Sequence, residues 1–445
     1  MTNSTPSLQQ TLKFIAYGII LGTGFAYFCV IILYAENIPA YDDYIDVLPF
    51  MIGLSASPDF AQTAALIFEQ YNQHFIVTNR LAYTAIYFLT GEINFYAISL
   101  LANLNVFVLA ILYGRHASGP HRLLIVAACC ALLFQLSYYR IAIWPMASLQ
   151  NFTVVTLALI TFLLLQSKST LIFILAMLIA FLATFTSGSG QLILFIGALK
   201  LIIDIYLLKT TDKKRFVYWV VFTITTLLLF YTFYDSKPLL NPDLPQPIAL
   251  TEDLLHKALS FFALVGSPFA FQNKVIAITT GMILIAFFIV LCLRDFRKDT
   301  ALFCFALFLL ASLGILAVTR SWVGIDALLV AARYRFVALN FFITLLLLYR
   351  FTQQQPGSRT YPIIAILAFS FCISTYVMYF RAVQTYSRES VEGMVRWVEL
   401  GKTGGLRRPV FVDLTGPWQN LKTLYDKKIY NPDLSEYSQA NNNHH

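Results

Sequence analysis

Two adjacent carboxylates, Asp42 and Asp43, lie a few residues beyond the first long apolar run, in the segment Tyr41-Asp42-Asp43-Tyr44. Neighbouring carboxylates at a lipid–water boundary repel each other and lose hydration. Both effects raise a carboxyl pKa toward the range a general base needs. A base here would take the proton of an acceptor hydroxyl as it attacks an activated sugar. The competing reading is helix capping by one of the two at a helix starting near Tyr44. A second constellation is Glu69-Gln-Tyr-Asn-Gln-His74 followed by Arg80. His74 falls at the junction of two amphipathic segments, 59–70 and 75–90. It suits a sugar hydroxyl, a phosphate or a metal, while Glu69 and Arg80 suit a polar substrate or an interfacial anchor. The third is Thr319-Arg320-Ser-Trp-Val-Gly324 with Arg333-Tyr334-Arg335. Arginine beside hydrocarbon is costly and requires a partner. The guanidinium fork matches phosphate oxygens, so Arg320 and Arg333 read as a phosphate clamp. Arg335 has the alternative of pairing with Asp326 or a lipid headgroup. Arg140, in the aromatic loop Tyr138-Tyr139-Arg140-Ile-Ala-Ile-Trp144, is a lesser substrate candidate within an interfacial belt.

The elements that must position these residues are set by composition. The 445 residues are 58% hydrophobic and 12% charged, about half the charge of a soluble domain. This excludes a soluble enzyme, a disordered chain and a nucleic-acid-binding domain, so the net charge of +8 is no nucleic-acid signal. All six cysteines sit in apolar runs, which predicts neither disulfides nor a thiolate metal site. Apolar runs of bilayer-crossing length predict eleven spans, near 12–34, 95–113, 123–138, 150–166, 171–185, 190–208, 216–234, 275–293, 301–319, 336–350 and 361–379. The first is too long for a cleavable signal peptide and lacks a cleavage site.

Lys and Arg set the orientation. With the N-terminus inside, 13 basic residues fall in inner loops and 8 in outer ones, and none occurs between 35 and 79. Residues 75–90 and 257–271 are short or broken, and are read as juxtamembrane helices on the outer side. Every inner loop is about ten residues or fewer, whereas 35–94, 235–274, 319–335 and the tail are long and outer. No inner nucleotide-binding domain fits, so the reactive group must arrive already attached to lipid. The chain thus divides into a membrane domain, 1–379, and a small outer C-terminal tail, 380–445. The buried-looking pair Lys200 and Asp204, one turn apart in the sixth span, reads as a structural ion pair near the inner interface.

These residues resemble the GT-C superfamily of membrane glycosyltransferases, most of all the bacterial polytopic proteins of surface-polysaccharide loci, including serotype-converting O-antigen glucosyltransferases. The resemblance covers most of the chain as architecture. Its residues are Asp42-Asp43, Asn72-Gln-His74 with Arg80, Ser187-Gly-Ser-Gly190, and Arg320…Gly324…Arg333-Tyr334. It implies an all-α, GT-C-like membrane fold with an outer-face cavity. It also implies a polyprenyl-phosphate sugar donor, and a polysaccharide or lipid-linked glycan acceptor at the outer face of a bacterial inner membrane. An acid of the first outer loop would be the base and basic residues would hold the lipid phosphate. The implied chemistry is a single inverting displacement that requires no cofactor, although acidic pairs in related folds can hold a divalent metal. The small tail departs from the oligosaccharyltransferase members, which carry large soluble domains. An O-antigen polymerase or ligase and a non-enzymatic lipid-linked sugar flippase are the competing classes. In the first the key residues lie in a large late loop, whereas here the most distinctive loop is the first; the second predicts internal repeats of spans and ionisable residues near the midplane, and no clear repeat is seen.

Overall fold

The computed structural model describes residues 8–57, 59–72, 74–119, 121–235, 253–349, 360–401, 415–432 and 434. The proline-rich stretch between Asp235 and Asp253, Arg350, Arg359 and much of the tail lie outside the described residues.

Helix α1, Leu8–Tyr34, is followed by a 3-10 turn, Tyr41–Tyr44, and three short helices, α2 (Val47–Ala56), α3 (Phe60–Ile67) and α4 (Val77–Thr90). Then come α5 (Phe95–His116), α6 (Arg122–Leu133), α7 (Tyr139–Ala142), α8 (Pro145–Leu164), α9 (Thr170–Thr184), α10 (Leu192–Ile202) and α11 (Lys213–Phe233). The second half holds α12 (Leu254–Gly266), α13 (Lys274–Asp295), α14 (Thr300–Arg320), α15 (Ile325–Val330), α16 (Ala332–Tyr349), α17 (Thr360–Leu400) and α18 (Thr415–Asp426). Among the described residues nine helical segments are long and apolar enough to cross a membrane, and extended structure is limited to isolated bridges. The chain is consistent with an all-α polytopic membrane protein.

Each predicted span has a helix, but two are short. α9 has 15 residues, and α6 has only 12 because it ends at Leu133 rather than continuing to 138. Residues 134–138 leave the helix while buried; backbone groups of the segment find partners in the bundle, whereas Gln135 Nε2 and Ser137 Oγ have none. The Leu136 N–H donates to Thr375 Oγ1 at 3.1 Å, and Ser137 O accepts from Arg335 at 2.9 Å. Non-helical backbone at such depth survives only where protein satisfies it. α17 departs the other way. It runs on past 379 for a total of 41 residues, about 60 Å at 1.5 Å per residue, roughly twice a hydrocarbon core.

The two ends of the bundle gather different residues. At one end His116 meets Asp299 at 3.1 Å, Lys200 meets Asp204 at 2.6 Å, Thr300 also reaches Asp204, and Arg215 caps the carbonyls of Ser167 and Lys168. All of these belong to loops or helix ends assigned to the inner side. At the opposite end the 35–94 segment packs with 134–144, 185–191 and 321–334. The alternation of spans predicts this sorting.

That opposite end carries a second hydrophobic core, separate from that of the bundle. It joins Tyr44, Leu48, Met51, Phe75, Tyr83 and Phe95 to Met146, Phe185 and Phe230, and to Met394, Leu421 and Tyr430. The C-terminal segment is therefore part of the cap rather than a loose tail. Trp418 lies against Tyr44 at 5.2 Å, Tyr430 OH donates to Asn37 O at 2.8 Å, and Ile93 pairs with the 429–430 strand-like segment. Segment 75–90 forms α4, a helix of 14 residues that buries Asn79, Arg80 and Tyr83 against the cap. Gly91, at φ +79°, ends it in the left-handed conformation that favours glycine.

α12 packs directly on α13. Phe262 O would sit 1.9 Å from a Cβ on Gly281, and Ala277 O 2.0 Å from one on Gly266, so the backbones of α12 and α13 touch through these two glycines. We expect Gly281→Leu to force the pair apart and lower stability by about 1–3 kcal/mol or more, read as loss of monodisperse protein on heating in detergent.

Candidate functional site

The 3-10 turn directs its two carboxylates differently. Asp43 is buried, and its Oδ2 accepts the Ala40 N–H at 2.8 Å, closing the turn on itself. Burial raises its pKa well above the usual carboxylate range, and the neighbouring charges of Asp42 and Asp46 add to this. Asp43 thus fills the capping role. Asp42 is half-buried and points the other way, toward Tyr71, Arg333 and Arg320. Its pKa is raised by burial, while the positive charges of Arg333 and Arg320 pull it back. The residue before it, Tyr41, has φ +50° and rests on Trp144 with ring centroids 4.7 Å apart. A left-handed tyrosine is strained, and the stack on Trp144 helps hold it there.

Facing Asp42 is the 71–74 turn. Tyr71 and His74 exchange backbone hydrogen bonds at 2.9 and 3.0 Å, with Asn72 at φ +49° between them. The turn is fixed to the α9–α10 corner: Val77 N–H donates to Phe185 O at 2.8 Å, Thr78 bonds Thr186, and His74 Cβ lies 3.8 Å from where a Gly188 Cβ would be. The small residues of Ser187–Gly190 are therefore packing residues. Gly190 lies against the Ala183 carbonyl, leaving no room for a side chain. Burial lowers the His74 pKa to about 4, and Arg320 and Arg333 push it the same way. His74 is a neutral imidazole whose buried Nε2 has no hydrogen-bond partner. The Tyr71 hydroxyl is also buried and is directed at the Asp42 carboxylate. Burial and the nearby carboxylates keep it protonated.

Arg320 ends α14 and Arg333 opens α16, and the compact loop between them brings both close enough to act electrostatically on Asp42 and His74. Gly324, at φ +85°, lets the loop reverse before α15. His256 Nε2 approaches Ser321 O at 3.0 Å and ties the loop to α12. Arg333 lies over the Tyr334 ring at 5.1 Å. Among the described residues no carboxylate lies within ion-pair distance of Arg320 or Arg333. The cluster is thus Asp42, Tyr71, His74, Arg320, Arg333 and Tyr334.

Besides Asp43, four sequence candidates fall outside it. Arg80 pairs with buried Asp46 at 2.6 Å and donates to the Leu66 and Glu69 carbonyls. It is an anchor of the cap. Arg335 donates to Leu329 O and Ser137 O and lies over Tyr379, so it clamps the unwound 134–138 segment instead of meeting Asp326 or a headgroup. Glu69 is exposed and lines a separate cavity. Arg140 is exposed beside Tyr139. Tyr71, Asp46 and His256 are the residues that sequence reading missed. Tyr71 sat inside a quoted motif, whereas His256 had no signal, since its role depends on α12 reaching Ser321. Among the described residues no three His, Cys, Asp or Glu side chains are grouped to hold a metal ion. The Asp42 side faces arginines, which is no cation site.

Compared with known proteins, the chain matches no protein-family model, no curated protein and no solved structure.

Proposed function

We propose that the chain is an inverting glycosyltransferase. It would move a sugar from a polyprenyl-phosphate donor to a hydroxyl of a polysaccharide or lipid-linked glycan, at the outer face of a bacterial inner membrane with the N-terminus cytoplasmic. The observation that supports this reading is the carboxylate Asp42, raised in pKa, facing two arginines that among the described residues have no carboxylate at ion-pair distance. A base opposite a phosphate clamp is the arrangement that transfer from a phospho-sugar needs. The acceptor O–H gives its proton to Asp42 as its oxygen bonds the anomeric carbon. The bond from that carbon to the phosphate oxygen breaks, and lipid phosphate leaves. Arg320 and Arg333 stabilise the charge that develops on the departing phosphate. Neutral His74, whose Nε2 has no partner, hydrogen-bonds the sugar or phosphate as it binds, and the Tyr71 hydroxyl orients Asp42.

The test is direct. Membranes containing the protein, given a polyprenyl-phosphate sugar and acceptor glycan, should release polyprenyl phosphate as the glycan gains one sugar. Arg333→Met should lower kcat by about 10²–10³-fold, the scale for removing one transition-state charge partner. Unchanged turnover in Arg333→Met and Arg320→Met would reject the clamp. Consumption of a pyrophosphate-linked oligosaccharide instead would place the chain among polymerases or ligases.

A further inference from the structure

A cavity of about 1000 Å³ lies on the other side of the 68–74 segment from the Asp42 cluster. Its walls come from the cap, through Gly53, Ala65 and Phe68, and from the ends of α9 and α11, through Phe181, Leu229 and Phe233. The α9 and α11 walls continue outward into side chains that face away from the bundle. Leu178, Leu228 and Phe233 are each more than half exposed, in helices that are apolar along their length. In a membrane protein such a surface meets lipid, so the cavity opens onto acyl chains. Its polar rim bears the Glu69 carboxylate and the Gln62 and Gln70 amides, and among the described residues none that lines it is Lys, Arg or His. Gln70 straps the mouth: its amide donates to Asp235 O and accepts from Asp235 N–H, both at 2.7 Å.

We propose that this cavity binds one hydrocarbon chain of a membrane phospholipid whose headgroup carries an ammonium, as in phosphatidylethanolamine. An apolar pocket of this size suits a chain, and the Glu69 carboxylate at its rim attracts a cation and repels an anionic lipid. The polyprenyl phosphate assigned to the arginines is therefore not its occupant. The bound lipid supports the segment that carries Tyr71 and His74 from behind. This assignment stands whether or not the chain is a transferase.

The experiment is native mass spectrometry of the full chain, purified from membranes and offered phosphatidylethanolamine or phosphatidylglycerol in equal amounts. The wild type should retain phosphatidylethanolamine. Ala65→Trp, at an exposed cap position that fills the cavity without disturbing a core, should lose it. Glu69→Lys keeps the carbonyl that Arg80 uses and should reverse the preference toward phosphatidylglycerol. Retention of phosphatidylglycerol by the wild type at least equal to phosphatidylethanolamine would overturn the headgroup assignment. So would displacement of the lipid by added polyprenyl phosphate. Undiminished lipid retention in folded Ala65→Trp would overturn the cavity assignment. Asp42→Asn should retain lipid as the wild type does, so a failed transferase reading leaves this result intact.

Discussion

Asp42→Asn should abolish sugar transfer while leaving the protein folded, with a fall in kcat on the order of 10²–10⁴, the usual contribution of a positioned base. The pH dependence gives an independent readout. The base must be deprotonated, so activity should fall as pH drops through the Asp42 pKa. That limb should lie above the ordinary carboxylate value of 3.8, because burial raises the group. His74, with a pKa of about 4, stays neutral across the usual assay range and does not supply a limb above pH 5. Stability should move the opposite way from activity. A carboxyl whose folded pKa is raised binds its proton more tightly in the folded state. The stability it confers is full at low pH and is lost as pH rises from the unfolded value through the folded one. Above that point the ionised Asp42 is a cost, which Asn removes. Asp42→Asn should therefore be at least as stable as the wild type at pH 7, and an inactive but less stable variant would point to a structural role instead. Asp43→Asn should lose less activity than Asp42→Asn, because Asn can still accept the Ala40 N–H that Asp43 Oδ2 holds at 2.8 Å.

The largest stability effect is expected at Arg80. Arg80→Met leaves Asp46 buried without its cation and frees the carbonyls of Leu66 and Glu69. Removing one partner of a buried pair costs about 3–5 kcal/mol, enough to unfold the cap at moderate temperature. Burial already raises Asp46, and Arg80 is what lowers it. Without the arginine Asp46 should take up a proton, so the variant should regain part of its stability as pH falls. The double variant Asp46→Asn with Arg80→Met should recover most of the loss, since no buried charge remains. Thermal unfolding in detergent at two pH values measures all three. An Arg80→Met protein as stable as the wild type would show that the pair adds nothing.

The spans were legible because nothing else in the sequence is as simple as an apolar run. The exceptions follow from what a run cannot report. The break at 134–138 has no glycine or proline within it; the backbone groups that hold it, the Leu136 N–H and the Ser137 carbonyl, meet Thr375 and Arg335, which lie far along the chain. The continuation of α17 past 379 was masked by charge. The pairs Arg388–Glu392 and Arg396–Glu392, at i,i+4 spacing, were the available sign that the helix persists. At the site, Asp42, Arg320 and Arg333 stood out because charge on that side lacked another explanation. Arg80 and Arg335 stood out for the same reason, yet their partners are Asp46 and backbone carbonyls. Which arginine is free depends on where carbonyls end up, and that is a property of the folded chain.

The cap that holds Asp42 also imposes an order of events on biosynthesis. Asn37 and Asn431 are joined, as are Asn37 and Tyr430, across 393 residues or more of sequence. At elongation rates of about 5–20 residues per second, the first outer loop waits roughly 20–80 s after emerging for the segment that completes its core. During that interval the candidate base has no finished floor beneath it. A nascent chain stalled before 415 would therefore be inserted in the membrane yet idle.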